Sequence, residues 1–291
     1  MSHLRIIEYG SESMNDIAIV GCGWFGLPLA KLLVEQGFNV SGTKRTAEGC
    51  ASLLSHKINP FELDLSTIND NELESKAMTY AGLFDADMLI VNIPPGLRRG
   101  ESEYLTHVER LMSLIGDRQY QRVIFISTTG VYPAIDKNMT ENDAQVYDDK
   151  SAILLKAESQ FTAMNNSCIL RFSGLIGPKR HPGKFFAGRE NIAGGNVAVN
   201  LVHLDDCIQA VTSIVKATSA HQAVSETYNL AAPKHPTRSE FYRYAAKHLG
   251  LAEPSFNDDK QPSKVIVGDL ICQQLAFNYI HSDPMLMLDA C

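Results

Sequence analysis

Seven short apolar runs, separated by longer amphipathic stretches, set the strongest limit on what this chain can fold into. The runs are IAIVG (17–21), FNVSGT (38–43), INPFELD (58–64), ADMLIVNI (86–93), RVIFIST (122–128), SCILRF (167–172) and ETYNLA (226–231). Helical patterns fall near 24–36, 70–81, 102–116, 149–164, 204–217 and 238–249. Strands that alternate with helices make right-handed βαβ units, and so a parallel sheet covered on both faces. Near-continuous apolar strands such as 88–91 fit that double burial. The spacing predicts a doubly wound α/β domain. After residue 173 the rhythm loosens into a glycine-rich stretch, a strand, a helix and a mixed tail. We expect a short extension over 1–15 and a sheet domain over 16–172, to which 201–231 returns. A smaller lobe is expected from 173–200 and 232–291.

The remaining bulk properties exclude more than they assign. A net charge of −7 over 291 residues argues against nucleic-acid or anionic-membrane partners, which select basic surfaces. No apolar run reaches the roughly 18 residues that a membrane-spanning helix needs. The N-terminal segment lacks the apolar core of a signal peptide. The six cysteines, at 22, 50, 168, 207, 272 and 291, have no C-x-x-C spacing. They read as reduced thiols of a cytoplasmic protein. No His/Cys/Asp spacing reads as a metal site, and His203 is expected to order its own loop with Asp205 or Asp206.

GCGWFG follows the first strand directly and opens the first helix. Its glycines, Gly21, Gly23 and Gly26, form G-x-G-x-x-G. The first suits a tight turn, the second a close approach to a pyrophosphate, and the third the packing of helix on strand. An anion would sit at the helix N-terminus, where free N–H groups and the dipole favour it. The spacing predicts dinucleotide binding. The second strand ends in Thr43, Lys44 and Arg45, with none of the carboxylate that would accept a ribose 2′-hydroxyl. A hydroxyl and two cations suit a 2′-phosphate, so NADP(H) is expected ahead of NAD. Lys44 and Arg45 as a solvated loop is the other reading. Asp64 either accepts from an adenine amino group or caps the next turn.

RVIFISTTGVYP (122–133) resembles the S-[ST]-x-x-V-Y-[GP] segment of the extended short-chain dehydrogenases/reductases, the NAD(P)-dependent epimerase/dehydratase family. ILRFSGLIGP (169–178), NLVHLDDCIQAV (200–211) and ETYNLAAP (226–233) resemble further segments of that family in the same order. The resemblance implies an NAD(P)-binding Rossmann fold with a small C-terminal substrate lobe that often holds a nucleotide-sugar. It implies a cofactor lined by the glycine loop with Trp24 and Phe25, by Leu65, and by Asn92, Ile93 and Pro94. It places the substrate-orienting hydroxyl on Thr128. Family dehydratases follow that threonine with Asp-Glu. Here Thr129 and Gly130 stand there, which disfavours their water elimination. The glycine spacing is also one residue shorter than the usual G-x-x-G-x-x-G.

The family's working pair is Tyr-x-x-x-Lys at a helix start. This chain has Tyr147 and Lys150, one residue closer. Residues three apart share a helix face, so Lys150 could favour the phenolate and make Tyr147 an acid/base group. Alternatively, Tyr147 is an ordinary residue ahead of the acidic helix start Asp148-Asp149.

PKRHPGKFFAGRE (178–190) gathers Arg180, Lys184, Phe185 and Arg189. They would either bind phosphates and stack a base, or form a solvated loop with its phenylalanines packed inward. Arg98 and Arg99 follow the fourth strand, at the edge where such folds bind ligands.

The chain therefore reads as an NADP(H)-dependent oxidoreductase or epimerase acting on a carbonyl or secondary alcohol, with nucleotide-sugars as one implied class. A non-catalytic NAD(P)-binding sensor is the rival, and an epimerase with tightly held NAD a third. The resemblance also implies pairing of helices into a homodimer.

Overall fold

A computed structural model describes residues 16–96 and 103–291; the N-terminal extension and the pair Arg98–Arg99 lie outside the described residues. The chain opens with β1 (Asp16–Val20), α1 (Gly26–Glu35), β2 (Asn39–Lys44), α2 (Ala47–Leu54) and β3 (Asn59–Glu62). Two short helices follow, α3 (Leu73–Thr79) and α4 (Ala81–Phe84), then β4 (Met88–Val91), α5 (Tyr104–Ile115) and β5 (Arg122–Thr128). Beyond these come β6 (Lys137–Met139), α6 (Asp149–Thr162), β7 (Ser167–Phe172), β8 (Gly174–Ile176) and β9 (Leu201–His203). The chain closes with α7 (Leu204–Ser219), β10 (Thr227–Leu230), α8 (Arg238–His248), β11 (Lys264–Ile266) and α9 (Leu270–Gln274).

Seven strands form one all-parallel sheet in the order β10-β7-β5-β4-β1-β2-β3. The order reverses between β1 and β4, so their carboxyl ends border the crevice where doubly wound folds place ligands. Along β4 successive side chains enter opposite layers. Met88 and Ile90 join the core under α1 and α7, while Leu89 and Val91 join the core under α5 and α6. That period of two, with both faces apolar, is why β4 reads as a continuous apolar run.

Two small parallel pairs, β8–β9 and β6–β11, stand apart from the main sheet. Ile176, Val199, Leu201, Phe241, Ala245, Met287 and Leu288 make a third, smaller core beside β8–β9, whereas Met139 of β6 and Ile266 of β11 join the core under α5 and α6. Ile271, Leu275 and Phe277, late in the chain, pack instead into the core under α1 and α7. Among the described residues no helix is long and apolar enough to cross a membrane.

Helices α2, α4 and α9 were not expected from the sequence. In α2 only Leu53 is buried, so it lacks the apolar stripe that marks a helix in sequence. Its start is fixed locally by Thr46, whose hydroxyl accepts from Gly49 N–H at 3.1 Å.

Candidate active site

The glycine loop is held by backbone against backbone. Gly21 has φ +100°, and a Cβ there would lie 2.2 Å from the Asn92 carbonyl oxygen. A Cβ at Gly26 would lie 2.2 Å from the Gly21 oxygen. Neither position admits a side chain without displacing the chain. The Asn92 amide donates to the Gly21 oxygen at 3.2 Å, tying the loop to the end of β4. Gly23 differs. It is exposed, and nothing lies within 4 Å of where its Cβ would be. Phe25 turns its ring into the core, edge-on to Phe172 at 5.2 Å, so it can offer a ligand only its backbone.

At the end of β2, Thr43 is buried and its hydroxyl accepts from Gly21 N–H at 2.8 Å. Thr43 thus braces the loop from behind, which corrects the expectation that its hydroxyl faces a 2′-phosphate. Lys44 is half-buried and Arg45 exposed. Neither has an ion-pair partner among the described residues. The Asp64 carboxylate accepts from the backbone N–H and hydroxyl of Ser66 at 3.0 and 2.7 Å, so it caps the turn after β3. Leu65 is buried, Ile93 packs on the second core, and Pro94 is exposed.

At the next corner, Thr128 ends β5 and its hydroxyl accepts from Gly130 N–H at 3.2 Å. Helix α6 begins after Asp148, which accepts from Ser151 N–H at 2.7 Å and closes a capping box with Ser151. Tyr147 therefore precedes the helix and does not share a helical face with Lys150. The expectation of an i, i+3 pair fails because the cap falls one residue too late. Tyr147 donates its hydroxyl to the Gly130 carbonyl at 2.9 Å and is 45% exposed. Partial burial, and then the Asp148 carboxylate, push its phenol above the ordinary tyrosine value. Lys150 is exposed.

The turn between Thr128 and Tyr132 is braced from far along the chain. Lys264 on β11 donates its ammonium to the Tyr132 carbonyl and, at 3.5 Å, to that of Thr129. Burial lowers its pKa, while Asp148 pulls it back up. Beneath the turn, Arg171 and Glu158 form a buried two-pronged ion pair at 3.0 and 2.8 Å. Ser127 donates to the same carboxylate at 2.5 Å, and Arg171 donates to the Tyr132 hydroxyl at 2.8 Å. That hydroxyl in turn donates to Asn229 Oδ1 at 2.6 Å. One closed network thus joins β5, α6, β7 and β10.

The basic loop after β8 divides in two. Arg180 leaves the loop and lays its guanidinium 4.0 Å from the centre of the Trp24 ring. The Trp24 indole N–H donates to the Pro178 carbonyl at 2.8 Å. Phe186 packs against Tyr242 and Phe256, with Arg189 5.8 Å from its ring centre. Phe185 stacks on Tyr242 yet stays 57% exposed, and Lys184 is exposed.

His203 orders its loop by accepting from Asp205 N–H at 3.2 Å, and its other nitrogen donates to the Ala290 carbonyl. The structure also brings His281 to Asp205, at 3.1 Å. Among the described residues, His203, Asp205 and His281 hold ligand-type atoms within 4.8 Å of one another, a grouping that sequence spacing hides. These contacts pin the C-terminal segment to the start of α7.

No protein-family model matches the sequence. The chain is 35% identical to the protein YeeZ of Escherichia coli K12 over 282 residues, covering 94% of this chain and 99% of that one. This chain belongs to the YeeZ family. Its fold is that of the extended short-chain dehydrogenases/reductases. A Methylobacillus flagellatus structure described as an NAD-dependent epimerase/dehydratase superposes with a TM-score of 0.74 at 23% identity, covering 96% of each chain. MoeE5 in complex with UDP-glucose and NAD has a TM-score of 0.70 at 19% identity, covering 95% of this chain and 97% of that one. The UDP-glucuronic acid 4-epimerase of Bacillus cereus, with UDP-glucuronic acid and NAD, has 0.73 at 16%, covering 94% and 97%.

Within this YeeZ-family chain, sequence reasoning missed Lys264, Arg171 and Asn229. Lys264 sits in a segment with no motif and enters the site by the pairing of β11 with β6.

Proposed function

We propose that this protein is an NADP(H)-dependent oxidoreductase or epimerase-like enzyme acting on a carbonyl or secondary alcohol, with nucleotide-sugars as the first substrate class to screen. The observation that carries the reading is the contrast within the glycine loop. Gly21 and Gly26 are packed shut, while Gly23 faces open space at the start of α1. A diphosphate placed there would meet the N-terminus of α1, whose dipole favours an anion. Lys44 and Arg45, with no carboxylate beside them on β2, favour a 2′-phosphate over a free 2′-hydroxyl.

A nicotinamide bound there would supply hydride transfer. The chain's own part is to hold the substrate oxygen through Thr128 and to exchange its proton through Tyr147. At neutral pH the phenol is protonated, the form that donates to a reduced carbonyl, although its upward shift takes it further from the working pH. The test is NADPH oxidation over a panel of carbonyl compounds and nucleotide-sugars, with Tyr147→Phe beside the wild type. Turnover that survives in the variant removes Tyr147 from the mechanism.

A second reading, a dinucleotide-binding sensor without turnover, is favoured by the position of Tyr147 ahead of the helix and off the face of Lys150. Tight NADPH binding with no oxidation by any member of the panel would select it.

A further inference from the structure

The loop after β8 reaches back to the glycine loop at one point. Trp24 follows Gly23 directly, and its indole N–H is fixed to the Pro178 carbonyl at 2.8 Å. A Cβ at Gly177 would lie 3.3 Å from the indole, so the turn packs tightly on the ring. Arg180 closes this turn, its N–H donating to the Gly177 carbonyl at 2.8 Å. Its guanidinium then stacks over the indole at 4.0 Å.

The cation is held but not neutralised. Among the described residues no carboxylate forms an ion pair with Arg180. Stacking uses the face of the guanidinium and leaves its N–H edge free. Burial alone lowers its pKa. A planar donor fork, anchored on the residue beside Gly23 and lacking an anion, is the arrangement that binds phosphate oxygens in pairs. Within the glycine loop the N–H groups of Gly21, Cys22 and Gly23 are already used, donating to the Thr43 hydroxyl, the Thr43 carbonyl and the Gly21 carbonyl.

We propose that Arg180, positioned by Trp24, is a diphosphate receptor that clamps the bridging diphosphate of the dinucleotide from the side of the substrate lobe. The assignment rests on the dinucleotide-binding reading above. The diphosphate of a nucleotide-sugar has the same chemistry. The anchoring on Trp24, next to Gly23, assigns the arginine to the cofactor.

The test is isothermal calorimetry on the wild-type protein, Arg180→Met and Arg180→Lys, with NADPH, adenosine 2′-phosphate and UDP as probes. Methionine keeps an apolar stem over the indole. Thermal unfolding confirms that both variants are folded. Loss of a charged hydrogen-bonding partner should weaken NADPH binding by about 10- to 100-fold in Arg180→Met. Arg180→Lys should fall between that variant and the wild type. Adenosine 2′-phosphate, which lacks the diphosphate, should bind all three alike, and so should UDP. Unchanged NADPH affinity in both variants overturns the proposal while leaving the dinucleotide site intact. Weakened UDP binding with unchanged NADPH binding overturns it too, by moving the arginine to the substrate. Equal losses for NADPH and adenosine 2′-phosphate contradict a diphosphate role. A wild-type protein that binds no NADPH removes this inference together with the reading beneath it.

Discussion

The glycine loop and the corner where β5 meets α6 lie at the same end of one sheet, yet they are held by different means. At the glycine loop, backbone rests on backbone, with Gly21 against Asn92 and Gly26 against Gly21, and the Thr43 hydroxyl and Asn92 amide brace that contact. At the β5–α6 corner, side chains from distant segments do the holding. Glu158, Arg171, Asn229 and Lys264 converge on the turn after Thr128. The first arrangement demands particular residues at particular spacings and so leaves a motif. The second is satisfied by partners that share no spacing, so the corner can drift from its family pattern while the fold stays intact.

The largest effect should come from the side-chain corner. Glu158→Ala would leave the Arg171 guanidinium buried without its carboxylate, and breaking such a pair costs about 3–5 kcal/mol. Urea unfolding checks this, and a loss under 1 kcal/mol would mean that the corner relaxes around a free cation. Gly26→Ala comes next. An alanine inside a helix is normally favourable, but here the Cβ meets the Gly21 oxygen, so a loss of about 1–3 kcal/mol is expected. Gly23→Ala sharpens the contrast inside the loop. Its stability should stay within about 0.5 kcal/mol of wild type, while NADPH binding measured by calorimetry is lost. Unimpaired binding in that variant would mean that the open space beside Gly23 is not where the diphosphate sits.

The seven strands of the sheet were all legible in the sequence, because each is apolar on both faces or flanked by turn residues. Of the short strands, β9 was read as the strand ahead of α7, while β6, β8 and β11 were not, since three-residue strands carry no period. The same division runs through the site. Gly21 and Gly26 announced themselves by backbone demands, Gly23 by the spacing it completes, and Asp64 by the ordinary chemistry of a capped turn. Thr43 was placed correctly at the end of β2, but its side chain turns inward to the Gly21 N–H, a direction that β-strand pattern alone does not supply. Of the two readings of Tyr147, the shared helix face with Lys150 fails and the residue ahead of the acidic helix start holds, because the Asp148–Ser151 capping box starts the helix between the two residues. Lys264 was invisible, since only tertiary pairing carries it to the turn.

The smallest effect concerns acidity. The negative charge of Asp148 contributes to holding the Tyr147 phenol above its ordinary value. Asparagine keeps the cap and removes the charge. In Asp148→Asn the tyrosine pKa should therefore fall, and the alkaline rise of alcohol oxidation should move to lower pH, with little change in unfolding midpoint. A pH–rate profile that does not move, or moves upward, would show that Tyr147 is not the titrating group.

The central claim is that a dinucleotide binds at the glycine loop with its 2′-phosphate at Lys44 and Arg45. Trp24 is the only tryptophan in the chain and sits inside that loop, so its emission reports directly on the site. The measurement is a fluorescence titration of the wild-type protein with NADPH and with NADH. The account predicts strong quenching at low NADPH and weak quenching by NADH, with the difference lost in Lys44→Ala/Arg45→Ala. Tighter binding of NADH would contradict the 2′-phosphate assignment and favour an epimerase that retains NAD. No response to either dinucleotide, with no shift in thermal unfolding, would mean that the glycine loop is only a turn.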